Sequence, residues 1–315
     1  MPKRSPTPFY TWRGHSGPVS AVHFFSSELY TGSGNGEIYA WDLETYKKVT
    51  FSHDHGREGI LWIGHLSDVL LIQGRDGAVG VWRKNVDSWR KHATLPAATK
   101  GFCQCSTPRS SSSPLLASPQ DNDDTVISVW DLETCDVVVS TRSLACEQVG
   151  MAMCTKLCNH GNTLVTGYEN GSVFSFDCRS GKPISSVVCF KHPIMCMDID
   201  DCYQMKGLCG SVTERLCTFE DFENLRLSKE IVVVNEGFAS AVIRSDGKIA
   251  ASGGWDGRIR IFSWKTLKPL AVLNLHSDSV QCVDFATERV HREGVGVLAA
   301  GGKDGVISLW SLYTE

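Results

Sequence analysis

The stretch that decides the fold runs from Ser252 to Trp264 and reads S-G-G-W-D-G-R-I-R-I-F-S-W. Asp256 and Gly257 predict a tight turn, because glycine accepts positive φ and aspartate can hydrogen-bond its local backbone. After the turn, two isoleucines alternate with two arginines, which is the period of a half-buried strand. The stretch is therefore expected to form a β-hairpin.

The same ten-residue frame recurs along the whole chain, and each copy closes on an aromatic residue. The copies span Gly32–Trp41, Gln73–Trp82, Asp121–Trp130, Gly167–Phe176, Gly210–Phe219, Gly253–Phe262 and Gly301–Trp310. Their closing aromatics lie about 41 to 48 residues apart, a period typical of four-stranded propeller blades. Seven frames predict an all-β, seven-bladed β-propeller.

These frames resemble those of the WD-repeat family over essentially the whole chain. The family's G-H pair stands at Gly14-His15, with looser equivalents at His55 and His276, and its W-D pair stands at Trp41-Asp42 and Trp130-Asp131. Blades four to six lack the closing Trp, and blade five lacks the turn Asp. The resemblance implies buried structural hydrogen-bond networks, and the residues that match them here are His15, Trp41, Asp76, Trp82, Asp256, His276, Asp304 and Trp310.

The two ends of the chain predict how the ring closes. Phe9–Arg13 reads as an outer strand ahead of the first G-H pair, and the last frame stops one strand short of a blade. Pairing the two would leave no open sheet edge between them. Residues 1–8 are expected to form a flexible lead, and residues 9–315 a single monomeric propeller.

Two insertions interrupt the regular spacing. Ser106–Asp124 is rich in Ser, Pro and Asp, and we expect a disordered loop at about 106–120 in which Ser113 or Ser118, each before a proline, could accept phosphate. The alternative is an exposed, unmodified loop. The second insertion, Ala286–Gly294, reads as a charged, solvated hairpin extension.

Cysteine usage and overall charge exclude several classes of function. The thirteen cysteines fall mainly at strand positions and are expected to be small buried hydrophobes. Cys154, Cys158 and His160 resemble a metal cluster, but no second ligand pair is near, so no metal is expected. A net charge of −4 with interspersed signs argues against nucleic acid, and no apolar run or hydrophobic leader indicates a membrane.

No catalytic constellation is recognisable in the sequence. The glycine-rich run Gly32–Gly36 sits in a turn between strands, with no helix N-terminus to hold a phosphate. G-x-S-x-G and H-E-x-x-H are both missing. The sequence therefore predicts a protein that is not an enzyme and has no cofactor.

Within the WD-repeat family, the segments Gly254–Phe285 and Leu298–Tyr313 resemble the guanine nucleotide-binding protein beta-subunit-like protein 1 group and its fungal counterpart, ASTRA-associated protein 1. The resemblance implies a non-catalytic adaptor, cytoplasmic and nuclear. Such an adaptor would act with the triple-T co-chaperone machinery, its client phosphatidylinositol-3-kinase-related kinases and related chromatin-remodelling assemblies. With only eight residues before the first strand, no G-protein gamma subunit is expected as a partner.

The alternative is a substrate receptor of a cullin ubiquitin ligase. Such receptors carry W-D-x-R at the end of a blade, whereas the single copy here, Trp255–Arg258, lies in a turn.

The residue before each turn Asp points, by resemblance to the family, to one rim of the propeller. Aromatic and charged residues at four of these positions predict a partner-binding rim formed by Trp255, Arg75, Glu169 and Lys303. The alternative for Trp255 is that its indole folds back over its own blade.

Overall fold

The protein is described by a computed structural model covering residues 6–51, 58–85, 88–98, 101–109, 113–287, 290 and 296–312. Its strands form seven separate antiparallel sheets. These are the blades of an all-β, seven-bladed β-propeller of WD repeats, so the predicted fold class is confirmed. No α-helix occurs in these ranges, and the two helical segments are the short 3₁₀ turns Ala145–Glu147 and Asn159–Gly161.

The chain divides into two compact units, 1–63 with 233–315 and 64–232. In the first unit, blade 1 consists of β2 (Val19–Phe25), β3 (Glu28–Ser33), β4 (Ile38–Asp42) and β5 (Lys48–Thr50). Blade 6 consists of β21 (Phe238–Ile243), β22 (Ile249–Gly254), β23 (Arg258–Ser263) and β24 (Pro269–Asn274). Blade 7 consists of β25 (Val280–Phe285), β26 (Val297–Gly302), β27 (Val306–Ser311) and the N-terminal β1 (Tyr10–Arg13).

The remaining blades follow in chain order. Blade 2 is β6 (Ile60–Leu66), β7 (Val69–Gly74), β8 (Ala78–Asn85) and β9 (Ser88–Pro96). Blade 3 is β10 (Leu115–Pro119), β11 (Ile127–Asp131) and β12 (Asp136–Ser140). Blade 4 is β13 (Ala152–Cys158), β14 (Thr163–Tyr168), β15 (Ser172–Asp177) and β16 (Pro183–Val188), and blade 5 is β17 (Ile194–Asp200), β18 (Lys206–Ser211), β19 (Arg215–Glu220) and β20 (Arg226–Val232).

The predicted closure of blade 7 is confirmed. β1 pairs antiparallel with β27, with Tyr10 opposite Leu309 and Arg13 opposite Val306. The Phe9 N–H extends the ladder by donating to the Leu309 carbonyl over 3.0 Å. The N-terminal strand therefore supplies the outer edge that the C-terminal frame lacks.

The hairpin predicted from the first stretch is also present. Gly257 has φ 76° and Gly305, at the equivalent place in blade 7, has φ 74°, a backbone conformation that favours glycine. A side chain at Gly257 would in addition come within 2.6 Å of the His276 carbonyl oxygen. Both turns thus require glycine for conformation, and the first also requires it for space.

Blade 3 differs from the prediction in two ways. Among the described residues it has three strands rather than four, and the segment before β10 forms one isolated β-bridge with it, Ser106 to Ala117. The predicted disordered loop at 106–120 is wrong for the residues described there, because β10 lies inside it and pairs with β11. Leu116, Ala117 and Ser118 are fully buried, so this serine-rich segment does form part of the core.

The structure describes only part of the other segments for which the sequence made a prediction. Residues 1–5 and most of 286–294 lie outside the described residues. Within the second segment Val290 is described, and it is buried in a cluster with Trp12 and Val22, so at this position the extension is not solvated. Ser113 donates to the His160 carbonyl over 2.9 Å, and Ser118 is enclosed, which argues against Ser118 as a phosphate acceptor.

Candidate functional site

The turn of blade 7 is held by a four-residue network that the sequence predicted in part. His276 Nδ1 lies 3.1 Å from Asp304 Oδ1, and its Nε2 lies 2.9 Å from Ser308 Oγ. Trp310 Nε1 donates to the same serine oxygen over 2.9 Å. Because the Asp304 carboxylate can only accept, Nδ1 donates to it, which leaves Nε2 to accept the Ser308 hydroxyl proton.

Asp304 is the acceptor on which this network ends. Its carboxylate also accepts the N–H groups of Ser277, over 3.0 Å, and Val306, over 3.1 Å. Burial acts against ionisation, but the hydrogen bonds from His276 and these two backbone groups hold the pKa of Asp304 below its ordinary value. These hydrogen bonds tie the turn to the preceding loop.

Blade 1 builds the same network with different residues. His15 Nε2 lies 2.7 Å from Thr31 Oγ1, and Trp41 Nε1 donates to that oxygen over 2.8 Å. The acid is Glu37, whose Oε2 lies 3.3 Å from His15 Nδ1 and accepts the Ser16 N–H over 2.8 Å. Sequence reasoning missed Glu37 because it stands two residues after the turn position, which Asn35 occupies. The longer side chain reaches back to the histidine.

The His15 ring is enclosed by this arrangement. Its side chain is 0% exposed, and burial is the main reason why the pKa of His15 falls from 6.5 to about 4. The hydrogen bond to Glu37 acts in the opposite direction but does not outweigh burial. His15 is therefore neutral at neutral pH, and it cannot serve as a charged contact for a partner.

In blade 6 the turn aspartate is contacted by an arginine instead of a histidine. Arg260 holds Asp256 with both guanidinium ends, Nη1 to Oδ1 over 3.1 Å and Nη2 to Oδ2 over 2.6 Å. The sequence pattern placed Arg260 on the polar face of its strand, but its side chain is 7% exposed. Burial opposes ionisation of Asp256, whereas Arg260 lowers its pKa. Asp256 is thus a structural residue, and Arg260 is its undetected partner.

In blade 2, Asp76 and Gln73 form hydrogen bonds with backbone groups. Asp76 accepts the Ala78 N–H over 3.1 Å, and Trp82 is buried. Gln73 reaches the next blade, with its Nε2 donating to the Cys103 carbonyl and its Oε1 accepting the Cys105 N–H. Cys103 and Cys105 are both buried, which is the packing role that the sequence favoured.

The predicted rim residues Arg75 and Glu169 lie in the second unit. Arg75 is exposed, and its guanidinium carbon lies 5.3 Å from the ring centroid of Phe102, a side chain that is itself 55% exposed. Glu169 Oε2 lies over the left-handed Gly150 and accepts the Met151 N–H over 3.3 Å. Arg75 therefore presents a cation with an aromatic neighbour, whereas one carboxylate oxygen of Glu169 is already engaged.

Trp255 and Lys303 lie in the first unit. Trp255 is 43% exposed, and its indole lies over Gly237, where an added Cβ would come within 2.2 Å of the ring. Lys303 Nζ is 3.9 Å from Asp278 Oδ2, and the Lys303 N–H donates to the Ser279 carbonyl. The turns of blades 6 and 7 thus lie against the same loop, residues 276–279. Gly257 approaches this loop from blade 6, and Lys303 contacts it from blade 7. Trp255 covers its own blade with one face and is half exposed.

The described residues give no support to a metal site. Among them, no group of three or more His, Cys, Asp or Glu side chains could hold a metal ion. Burial raises the pKa of Cys154 to about 12 and that of Cys158 well above its ordinary value, so both thiols remain protonated. Within the same ranges no helix is both long enough and apolar enough to cross a membrane.

Comparison with known proteins assigns the chain to a family. The WD domain, G-beta repeat family matches residues 6–42, 237–263 and 267–311. The mouse protein named guanine nucleotide-binding protein subunit beta-like protein 1 is 35% identical, and the match covers 98% of this chain and 97% of the relative. The chain belongs to the beta-like protein 1 family of WD-repeat proteins.

Fungal proteins named ASTRA-associated protein 1 are also similar to the chain over nearly their full length. ASTRA-associated protein 1 of Schizosaccharomyces pombe is 26% identical, and that of Schizosaccharomyces japonicus is 25% identical, each match covering 98% of this chain and 99% of the relative. WD-repeat propellers are in general non-catalytic scaffolds for protein partners. The rim turns and the outer strands are therefore the surfaces on which function is to be sought.

Proposed function

We propose that the chain is a non-catalytic adaptor that joins protein assemblies of the ASTRA type. The full-length similarity to ASTRA-associated protein 1 is the observation that supports this function. By the same resemblance, the adaptor would act with triple-T co-chaperone subunits and their client kinases, in the cytoplasm and the nucleus. Fractionation of cells that express the tagged chain tests the two compartments.

Trp255 and Lys303 form the contact surface that we propose for the first unit. A half-exposed indole and an exposed ammonium group offer apolar area and charge, and aromatic anchors commonly dominate interface energies. Arg75, with Phe102, is the corresponding candidate in the second unit and is tested separately. Glu169 has less to offer a partner, because one of its oxygens is occupied.

Affinity purification with mass spectrometry tests both the function and the surface. Trp255→Ala is expected to weaken partner recovery by about thirtyfold, which corresponds to about 2 kcal/mol, with little change in melting temperature. Leu270→Ala is the matched control, because Leu270 is also 43% exposed and lies in the same blade, on its outer strand. The control should retain all partners.

Two further results decide the proposal. Because the indole covers Gly237, Lys303→Glu provides a variant that leaves that contact intact, and it should slow association. Recovery of cullin adaptor subunits in place of co-chaperone subunits would replace the adaptor function by that of a ligase receptor. If Trp255→Ala and Lys303→Glu both retain full recovery, the surface is elsewhere.

A further inference from the structure

The hairpin β8–β9 of blade 2 differs from those of the neighbouring blades at the residue after the closing tryptophan. Blades 1 and 3 have Asp42 and Asp131 there, and both strands end at these residues. Asp42 accepts the N–H groups of Glu44 and Thr45, over 2.8 and 2.6 Å, which closes a tight turn. Blade 2 has Arg83 at this position, and β8 continues to Asn85.

Lengthening of the hairpin brings two arginines face to face. The register places Arg83 directly opposite Arg90, and both side chains are exposed. Directly opposed residues of antiparallel strands have their Cβ atoms about 4.5–5.5 Å apart, and like charges at that spacing are destabilising. Among the described residues, neither arginine has an acidic partner.

The other face of the hairpin is basic as well. Lys84 Nζ lies 5.9 Å from the ring centroid of Trp89, and Lys91 Nζ lies 5.9 Å from that of Trp82. Between residues 83 and 92 the sequence has four Lys or Arg residues and one acid, in a chain whose net charge is −4. The hairpin is therefore a local basic surface on an otherwise acidic protein.

Blade 5 pairs opposite charges at the same position, whereas blade 3 has Asp131 opposite Asp136. In blade 5 Glu220 stands where blade 2 has Arg83, opposite Arg226, and its Oε1 lies 3.1 Å from the Arg226 Nε. Basic side chains on an outer strand also discourage unwanted sheet pairing, but a single cation meets that need without a repulsive pair. In blade 2 no described residue supplies a carboxylate at this position.

We propose that the β8–β9 hairpin binds an acidic segment of a protein partner, with Arg83 and Arg90 holding one of its carboxylates between them. Paired guanidinium groups match carboxylates in geometry as well as in charge. Cations distributed at strand spacing along both faces fit a chain of separate Asp and Glu side chains. This inference does not rest on the adaptor function proposed above.

Fluorescence anisotropy with the full-length protein tests the proposal. The probe is a fluorescein-labelled peptide of about ten residues in which Asp alternates with Ser, measured at about 50 and 300 mM NaCl. Arg83→Gln/Arg90→Gln should weaken binding by about tenfold or more at the lower salt concentration. Arg226→Gln/Lys229→Gln, which removes the same charge from the outer strand of blade 5, should change it less than about twofold.

The variant Arg83→Glu separates binding from folding. It rebuilds the acid–arginine pair of blade 5, so the protein should melt at or above the parental temperature while peptide binding is lost. Equal binding of the peptide by parent and double variant overturns the proposal, as does equal binding of an Asn/Ser peptide. A phosphoserine peptide or single-stranded DNA that binds about tenfold tighter than the Asp peptide would overturn the carboxylate partner.

Discussion

Blades 6 and 7 have the same Asp-Gly turn, but the residue that holds the aspartate differs between them. In blade 7 His276 links Asp304 to a serine and a tryptophan, so the carboxylate is held through a chain of hydrogen bonds. In blade 6 the buried guanidinium of Arg260 contacts Asp256 directly. Blade 6 thus holds its turn aspartate by one buried ion pair, where blade 7 uses several hydrogen bonds.

Because of this difference, the two turns should lose different amounts of stability when the aspartate is mutated. A buried ion pair adds little net stability, because desolvation offsets the attraction, yet breaking it leaves an uncompensated charge. A hydrogen-bond network loses its bonds one at a time, at about 1–3 kcal/mol for each buried group left unpaired. The turn next to Trp255 should therefore be the more sensitive of the two to loss of its aspartate.

The largest expected effect is that of Asp256→Ala. This change leaves Arg260, whose side chain is 7% exposed, without its carboxylate and should reduce the free energy of unfolding by about 3–5 kcal/mol. Asp304→Ala should cost less, about 1–3 kcal/mol. Urea denaturation of both variants measures the difference.

The double variant Asp256→Ala/Arg260→Met provides the control for this prediction. It removes both charges and keeps a long apolar side chain, so most of the lost stability should return. If the double variant is as unstable as Asp256→Ala, the cost arises from the turn and not from the buried charge.

Blade 1 extends the comparison to pH, because the pKa of His15 is lowered to about 4. Below its ordinary pKa of 6.5, the unfolded chain binds a proton at His15 that the folded protein excludes, so acidification favours unfolding. The penalty begins near pH 6.5 and should reach about 2 kcal/mol between pH 7 and pH 5. His15→Gln should show a correspondingly smaller loss of stability over this interval.

His192→Gln is the matched control, because His192 is an exposed histidine in the other unit. Its urea midpoint should follow the parental pH dependence. An unchanged pH dependence in His15→Gln would mean that His15 is not held neutral by the fold.

The repeating frame was predictable because its determinants are local. A turn and an alternating strand lie within ten residues of one another, and seven copies about 41 to 48 residues apart define the blades. The residues that the sequence did not reveal depend on side-chain contacts that spacing alone does not specify. Glu37 acts through its reach to His15, and the Arg260 side chain bends back four residues to the Asp256 carboxylate.

Composition misled the interpretation of blade 3 for a related reason. Ser118 belongs to a serine-rich segment, but its hydroxyl accepts the Trp130 indole N–H over 2.9 Å, so the polar group is satisfied inside the core. The predicted rim is a different case. Trp255, Arg75, Glu169 and Lys303 all lie in or next to blade turns, but binding by them stays a prediction, since a turn position defines exposure and not a partner.

The smallest effect compares the hydroxyl positions of blades 1 and 7. Thr31 lies on β3 opposite Tyr39, whereas Ser308 lies on β27 opposite Ala300, so the two networks use opposite strands of equivalent hairpins. Ser308→Ala should cost about 1–3 kcal/mol, because His276 and Trp310 then lose a shared partner. Adding Ala300→Ser places a hydroxyl where blade 1 has one and should restore about 1 kcal/mol. The same Ala300→Ser change in the parent should be neutral or destabilising, since a second hydroxyl would have no free donor to accept from.

Urea denaturation of the parent, the two single variants and the double variant measures the coupling between the two sites, which is expected to favour the double variant. If Ala300→Ser fails to improve Ser308→Ala, the hydroxyl position is fixed by packing specific to blade 7, and the two hairpins are not interchangeable.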